Sequence, residues 1–470
     1  MVPTIAPKIS DEFDDLRNIG WYCSANLLAA STMEPIFDLM DTWFSPKWIL
    51  LLRFARTSTI LIVGRLISGV GVAGGLNGIS HLLAIAVPPP VLEKHCNFLM
   101  GMSYELSRIG GLFFGAALAD SLKWRWCFYL ISGFMLLVPI FAIPLLEDSR
   151  VVQGRWPNFW KIQHLLAILS SLPTICLLLA MHWGIRDGWG AAKVISLFAL
   201  AGIYLTFRFL YTWKAGPAEL HLLCINITFG ASFYPLLYLL RKSTTLVFAS
   251  IWLQALQVSN TIDGSVMFLP AIATLSVGAI LGTSHIIPRT ISFMEVLFFY
   301  SCVLMAVGSG LLSTLRVDSG QDKRIGYQVL FGLGAGLGAS LGVRTAALLE
   351  TIKNEHRLDN PSTVRRSEVC GGALAIGAAQ VVLQTQLLKG APEVASLLKT
   401  GATSFKNSTS PIPPSLLIGY NTALTRAFLV SAAASTLGAT VRIVVYITHR
   451  LSTRQPPSEY LPRPDELEQE

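Results

Sequence analysis

The chain has 470 residues, 52% of them hydrophobic and 14% charged, with a mean hydropathy of +0.55. A soluble domain carries about 25% charged residues, so there is too little polar surface here to coat a water-soluble globule, and an all-α polytopic membrane protein is expected. The formal net charge of +8 would suggest nucleic acid in a soluble protein; here Lys and Arg gather in loops, as membrane orientation requires, and no nucleic-acid partner is expected.

Residues 1–18, "MVPTIAPKISDEFDDLRN", form a polar N-terminal segment without the apolar core of a cleavable signal peptide. Apolar stretches long enough to cross roughly 30 Å of hydrocarbon then recur near 19–40, 57–87, 98–119, 127–147, 163–184, 191–212, 226–256, 265–286, 291–314, 326–349, 369–389 and 422–448, about twelve crossings. The first two are the least clean, because Glu34, Asp38, Asp41, Arg53 and Arg56 crowd the join between them. The pattern divides into a partial N-terminal helical bundle at 19–147, central helices and connecting loops at 148–225, and a C-terminal bundle at 226–449 whose outer loop is 390–421.

Lys94, Arg150, Arg155, Lys161, Lys214, Lys353, Arg357, Arg365, Arg366, Arg450 and Arg454 fall on alternate connections, which assigns those to the cytoplasm. The 390–421 loop then lies outside, and Asn407, in an N-x-[ST] sequon, is a candidate glycosylation site. A second sequon at Asn226 falls on the cytoplasmic side and is discounted. The tail 450–470 is charged and rich in Pro, and a disordered cytoplasmic tail is expected.

The stretch "GRLISGVGVAGGLNG", residues 64–78, contains Gly69, Gly71 and Gly74 in the G-x-G-x-x-G spacing of a dinucleotide loop. Such a loop needs a preceding strand and an acidic residue about 20 positions on. These glycines lie inside an apolar run from Ile60 to Val87, and no Asp or Glu follows until Glu93. Gly71 and Gly75 are four apart, as are Gly69 and Ala73, a spacing that lets helices approach closely in lipid. Arg65 in the same run costs roughly 2.5–3.5 kcal/mol on insertion scales, so it is expected to face a polar passage or a partner; the alternative is snorkelling to an interface.

Glu105 and Arg108 stand three apart on one helix face, able to pair. Arg344 is a further charge at helix depth, and Gln254 is a polar residue in an apolar run; all four are candidates to line a cavity. The seven cysteines (23, 96, 127, 176, 224, 302, 370) are scattered singly and read as small core residues, with no disulfide framework or metal site expected. No catalytic constellation, cofactor or nucleotide loop emerges: the eight histidines show no H-x-x-x-H pairing, and neither G-x-S-x-G nor a Walker sequence is present.

"LIVGRLISGVGVAGG" resembles the R-x-x-x-G-x-G segment in the fourth helix of the major facilitator superfamily, and more narrowly its fourteen-helix drug:proton antiporter branch, common in filamentous fungi. "DEFDDLRNIGWYCSANLLAA" (11–30), "SPKW" (45–48), "WRWCFY" (124–129), "IWLQALQ" (251–257), "IGYQVLFGLGAGLG" (325–338) and "GGALAIGAAQ" (371–380) agree in order along nearly the whole chain. The resemblance implies a two-bundle fold rocking around a central site, with a small organic substrate and protons as partners, proton-driven export and a role in coupling for Arg65. It implies a monomer in the lipid bilayer, at the plasma membrane or an endomembrane such as the vacuole.

Departures accompany the likeness. The family's G-P-x-x-G-G antiporter motif is here "IGGLFFGA": Gly110 and Gly115 match, Gly111 replaces the proline, and Phe114 replaces a glycine where it is expected to hold helices apart. Asp38 stands where the family has a glycine. The family's first helix is absent ahead of "VPTIAPKISDEF" and its third is almost missing within 41–58, while "RKSTTLVFAS" (241–250) looks inserted within one helix. These features leave open a decayed or non-transporting carrier kept as a sensor or scaffold, and uptake of a metabolite or iron chelate.

Overall fold

The structure is a computed structural model that describes residues 2–41, 58–86, 97–122, 124–131, 133, 169, 171–215, 220–257, 260–283, 291–356, 361–390, 392–399, 401–407 and 413–452. The join at 42–57, most of the expected crossing 127–147, and the tail from 453 lie outside the described residues.

Twelve longer α-helices occur among the described residues: α1 (Val2–Glu12), α2 (Ile19–Asp41), α3 (Ser58–Ala86), α4 (Asn97–Ser121), α5 (Leu172–Asp187), α6 (Ala192–Ala215), α7 (Leu220–Trp252), α8 (Thr261–Thr283), α9 (Ile291–Leu312), α10 (Gln321–His356), α11 (Pro361–Lys389) and α12 (Pro414–Ser452). None of the described residues is in a strand. Leu236–Gln257, Thr261–Gly282, Arg366–Lys389 and Pro414–Val441 are each long and apolar enough to cross a membrane. α6 packs against α5 and turns Ile195, Ile203, Leu205 and Phe207 outward, an apolar face suited to lipid.

The halves meet along two seams. α2 packs on α11, and α4 packs on α8. Within the C-terminal half α8 and α9 flank α10, while α7 lies between α11 and α12. The α5–α6 hairpin sits outside, against α11.

Glycines set the closest approaches. A Cβ on Gly336 would lie 2.1 Å from the Leu275 carbonyl oxygen, and one on Gly332 would lie 2.5 Å from that of Ala271. The i, i+4 pair in "GLGAGLG" therefore lets α8 run backbone-to-backbone along α10.

α1 and the turn after it cover one end of the bundle, here termed the lid end. The N-terminal segment is polar in composition, yet Ile5, Ala6, Ile9 and Leu16 are buried there in the main core, with α1 packed on α7, α2 and α4. Asp14 turns the chain with φ +47°, a left-handed conformation that Asp tolerates. Asp15 then accepts the Arg17 backbone N–H at 2.9 Å and the Asn18 side-chain N–H at 2.7 Å.

α7 continues unbroken through 241–250 and closes in a π turn, Leu253–Gln257. The stretch that looked inserted is thus helical and almost wholly buried.

Candidate functional site

At the α4–α8 seam Glu105 is 5% exposed. Both its oxygens lie 2.6 Å from Arg108 Nη1, and Oε2 accepts the hydroxyl of Ser276, in the opposite half, at 3.0 Å. Ionisable groups from other helices lie near the same pair: Tyr238 and Lys242 of α7 interact with it electrostatically, and Glu368 of α11 interacts with those two. The Lys242 ammonium lies 5.0 Å from the centre of the Tyr238 ring, and Tyr238 Oη donates to the Ala335 carbonyl at 2.8 Å.

Arg241, one residue before Lys242, reaches Tyr238 and the neighbouring α9. It is fully buried, with its guanidinium over the rings of Tyr238 and Phe298 and Nη1 2.8 Å from Cys302 Sγ. Its Nε and Nη2 have no hydrogen-bond acceptor among the described residues.

The lid end is held by a polar network. Lys8 of α1 pairs with Asp120 of α4, whose carboxylate also accepts the backbone N–H groups of Thr261 (3.3 Å) and Ile262 (2.8 Å) at the start of α8. Glu12 accepts from the Trp124 indole and Arg125. Asp11 accepts the Thr403 backbone N–H at 2.8 Å, and Ser10 Oγ accepts that of Ala402 at 2.9 Å. Gln380 and Gln384 of α11 donate to the carbonyls of Leu16 and Arg17. In the loop, burial pushes the Lys406 ammonium down to about 8, against the attraction of Asp11.

The candidates from the sequence fall into separate places. Glu105 and Arg108 come together at the seam. Gln254 belongs to the lid: its Nε2 donates to the Thr4 carbonyl at 2.8 Å, while its own carbonyl accepts from Lys406 Nζ at 2.7 Å.

Arg65 is half-buried on α3, and Asn26 of α2 donates to its carbonyl at 3.3 Å and to Ser68 Oγ at 3.0 Å. Of the two small-residue rows, the structure uses Gly69 and Ala73. A Cβ on Gly69 would lie 2.3 Å from the Asn26 carbonyl oxygen, and Ala73 is buried beside Ala30 and Phe37. Gly74 is also buried and Gly71 half-buried, but a Cβ on Gly75 would meet nothing within 4 Å.

In α4, Gly110 and Gly111 are half-buried and Gly115 is buried, whereas Phe114 is 72% exposed. The ring points away from the seam and does not wedge the helices, because position 114 falls on the outer face of α4. Arg344 lies on α10 and Asn407 in the turn Ser404–Asn407; their side chains lie outside the described residues. The five described cysteines are free and buried, and no group of metal-ligating side chains occurs among the described residues.

A second feature lies beside the other seam. Trp21, Ser24, His182, Gln380 and Gln384 line a small open cleft between α2, α5 and α11, with the Trp21 indole N–H donating to His182 Nδ1 at 2.9 Å. Tyr238, Lys242 and Asp120 were not singled out from sequence. The signal for Lys242 was present, since "RK" interrupts an apolar run.

No protein-family model matches the chain. "Efflux pump roqT" of Penicillium rubens is 30% identical over 476 residues, covering 93% of this chain and 85% of that protein. The chain belongs to the major facilitator superfamily. "MFS-type efflux pump MFS1" of Arthroderma benhamiae is 29% identical over 484 residues, with 93% of this chain and 86% of the relative covered. "Efflux pump aflT" of Aspergillus parasiticus is 28% identical over 479 residues, covering 92% and 88%.

Among solved structures, a bacterial homologue of the human drug peptide transporters superposes with a TM-score of 0.49 at 13% identity, covering 96% of this chain and 95% of that one; so loose a likeness carries no argument. This major facilitator chain is an all-α, multi-pass membrane protein. Its order of helices and its two seams give the superfamily's two-bundle arrangement.

Proposed function

We propose that this major facilitator protein is a secondary active, proton-coupled exporter of a small amphipathic organic compound such as a fungal secondary metabolite, toxin or drug. The single observation that carries the reading is Glu105, buried at the seam, paired with the half-buried Arg108 and accepting a hydrogen bond from Ser276 of the other half. An ion pair withdrawn from water is costly unless its partners satisfy it, and intramembrane charges mark ion or substrate pathways. The direction is supported by the relatives named efflux pumps.

In this reading the lid end faces outward, at the plasma membrane or an endomembrane such as the vacuole, and the protein works as a monomer. Arg65, with Gly69, Gly71 and Gly74, takes part in coupling and close packing. Gly110, Gly111 and Gly115 form the hinge of the interface, and Arg344 and Gln254 border the path. Asn407 is glycosylated. Nothing in the reading calls for catalytic chemistry by the protein.

The test is retention of fluorescent amphipathic compounds, rhodamine 6G among them, in yeast lacking its own exporters. Expressing cells should retain less, and a protonophore should remove the difference. Equal retention across the panel, with the protein abundant and correctly inserted, overturns export in favour of a non-transporting carrier; accumulation above the control would establish uptake instead.

A further inference from the structure

α4 and α8 come from opposite halves and are tied at two levels. At the lid end Asp120 accepts the backbone N–H groups of Thr261 and Ile262. Fifteen residues from Asp120 along α4, and fifteen from Thr261 along α8, Glu105 meets Ser276. The two ties are therefore about 22 Å apart on each helix at 1.5 Å per residue.

The second tie depends on charge. Glu105 is buried and paired with Arg108 on its own helix; among the described residues Tyr238 and Lys242 of α7 interact electrostatically with this pair, and Glu368 of α11 interacts with those two. α8 brings only Ser276 to this level, since its single ionisable residue, Asp263, lies at the lid end. α1 meets α4 at the lid end, where Lys8 reaches Asp120. As a carboxylate, Glu105 draws both the Arg108 guanidinium and the Ser276 hydroxyl. Once protonated it is neutral, its bond to Ser276 falls to roughly half the charge-assisted strength, and Arg108 loses its counter-ion beside Lys242.

We propose that Glu105 is the protonatable tie between the halves: ionised, it clasps α8 through Ser276; on binding a proton it releases α8 while the Asp120 tie holds as the pivot. Asp120 lies at the helix end, beyond the apolar run 98–119. Burial opposes its charge, but the Lys8 ammonium and the N–H groups of Ile262 and Thr261 outweigh it and hold the carboxyl below the usual carboxylate range. The proposal rests on the reading of the protein as a proton-coupled carrier, yet needs no substrate for its test.

The full chain, with its seven cysteines replaced, is placed in lipid nanodiscs and spin-labelled at Leu99→Cys and Leu281→Cys, exposed positions on the deep ends of α4 and α8. A second pair, Leu122→Cys and Val266→Cys, reports on the lid end. Electron–electron distances are measured from about pH 8 down through the ordinary glutamate value of about 4.3. The deep pair should lengthen by several Å as pH falls, with the lid pair steady.

Glu105→Gln should show the long distance at every pH. Ser276→Ala should keep the response but move its midpoint up by about one pH unit, because one hydrogen bond to the charged form is lost; a purely structural contact would move the distance without moving the midpoint. A deep pair that ignores pH, or a Glu105→Gln protein that responds like the parent, overturns the proposal. Should Glu105→Gln fail to fold, an unmoved midpoint in Ser276→Ala overturns it instead. A response abolished by Glu105→Gln, in a protein with no proton-driven export in cells, leaves the tie standing and removes only the transport reading.

Discussion

Trp252 of α7 donates its indole N–H to the side-chain oxygen of Asn421 on α12 at 2.7 Å, and Asn421 passes the link on by donating to the Leu315 carbonyl at 3.0 Å. Both side chains are buried, so neither can exchange its partner for water. Asn421→Leu is expected to cost about 1–3 kcal/mol, because it strands a buried indole donor. Adding Trp252→Phe should lose less than the two single changes summed, since the orphaned donor is removed with it. Thermal unfolding of the purified protein in detergent, arranged as a double-mutant cycle, reads both effects.

Gly69 and Gly75 stand six residues apart on α3 in opposite circumstances. A methyl group on Gly69 would sit 2.3 Å from the Asn26 carbonyl oxygen and 2.8 Å from Ala29 Cβ, whereas one on Gly75 meets nothing within 4 Å. Gly69→Ala should therefore push α3 off α2 and destabilise by about 1–3 kcal/mol. Gly75→Ala should be neutral or stabilise by up to about 1 kcal/mol through helix propensity. Equal melting temperatures for the two variants would show that the α2–α3 contact is looser than these distances require.

The contrast between those glycines marks where sequence reasoning stops. An apolar run reports directly on the hydrocarbon a helix must cross, which is why the stretches 57–87 and 98–119 correspond closely to Ser58–Ala86 and Asn97–Ser121. Helix ends beyond the apolar run are invisible to that signal. α10 extends to Gln321 and His356, and α12 to Pro414 and Ser452, because backbone hydrogen bonding continues through polar residues. The apolar face of α1 is too short to register, and its hydrogen bond to Gln254 joins residues 250 positions apart. Charge in an apolar run points to Glu105 and Arg108, which the structure brings together at the seam, but it points equally to Arg65, which lies on the α2–α3 contact instead. The same clue at Lys242 was obscured because the stretch 241–250 read as an insertion. Position 114 failed differently, since substituting Phe for Gly says nothing about which way that face of the helix points.

The loop lysine makes a test by pH. Lys406 titrates near 8 in the folded protein, pushed down by burial against the attraction of Asp11; unfolded, it returns to the ordinary lysine value of about 10.4. Between those two values the unfolded chain binds more protons, so this group makes stability rise with pH across about 8 to 10.4, and below 8 its unfavourable contribution is fully present. Relative to Lys406→Met, the wild-type protein should gain stability over that interval and run parallel below it. Thermal melts of both proteins across the range check the sign. A gap that is constant from pH 8 to 10.4 would mean that the ammonium is solvated where the structure buries it.

Arg241 offers the sharpest stability test, because its burial is so poorly matched by partners. The side chain is 0% exposed, its guanidinium rests on two aromatic rings and the Cys302 sulfur, and Nε and Nη2 find no acceptor among the described residues. Attraction to ring faces offsets part of the desolvation of a guanidinium but not the several kcal/mol its burial costs. A side chain of similar length without the charge should therefore fit at least as well. Arg241→Met is expected to leave the stability unchanged or raise it, by up to about 1–4 kcal/mol on the precedent of buried ion pairs replaced by apolar groups. Arg241→Ala should lower it by about 2–5 kcal/mol through the cavity it opens between α7, α9 and α12. The two variants separate volume from charge. If Arg241→Met falls as far as Arg241→Ala, the guanidinium is held by an anion that pairs with it in the membrane, and the helical stretch 241–250 is built around that charge rather than merely tolerating it.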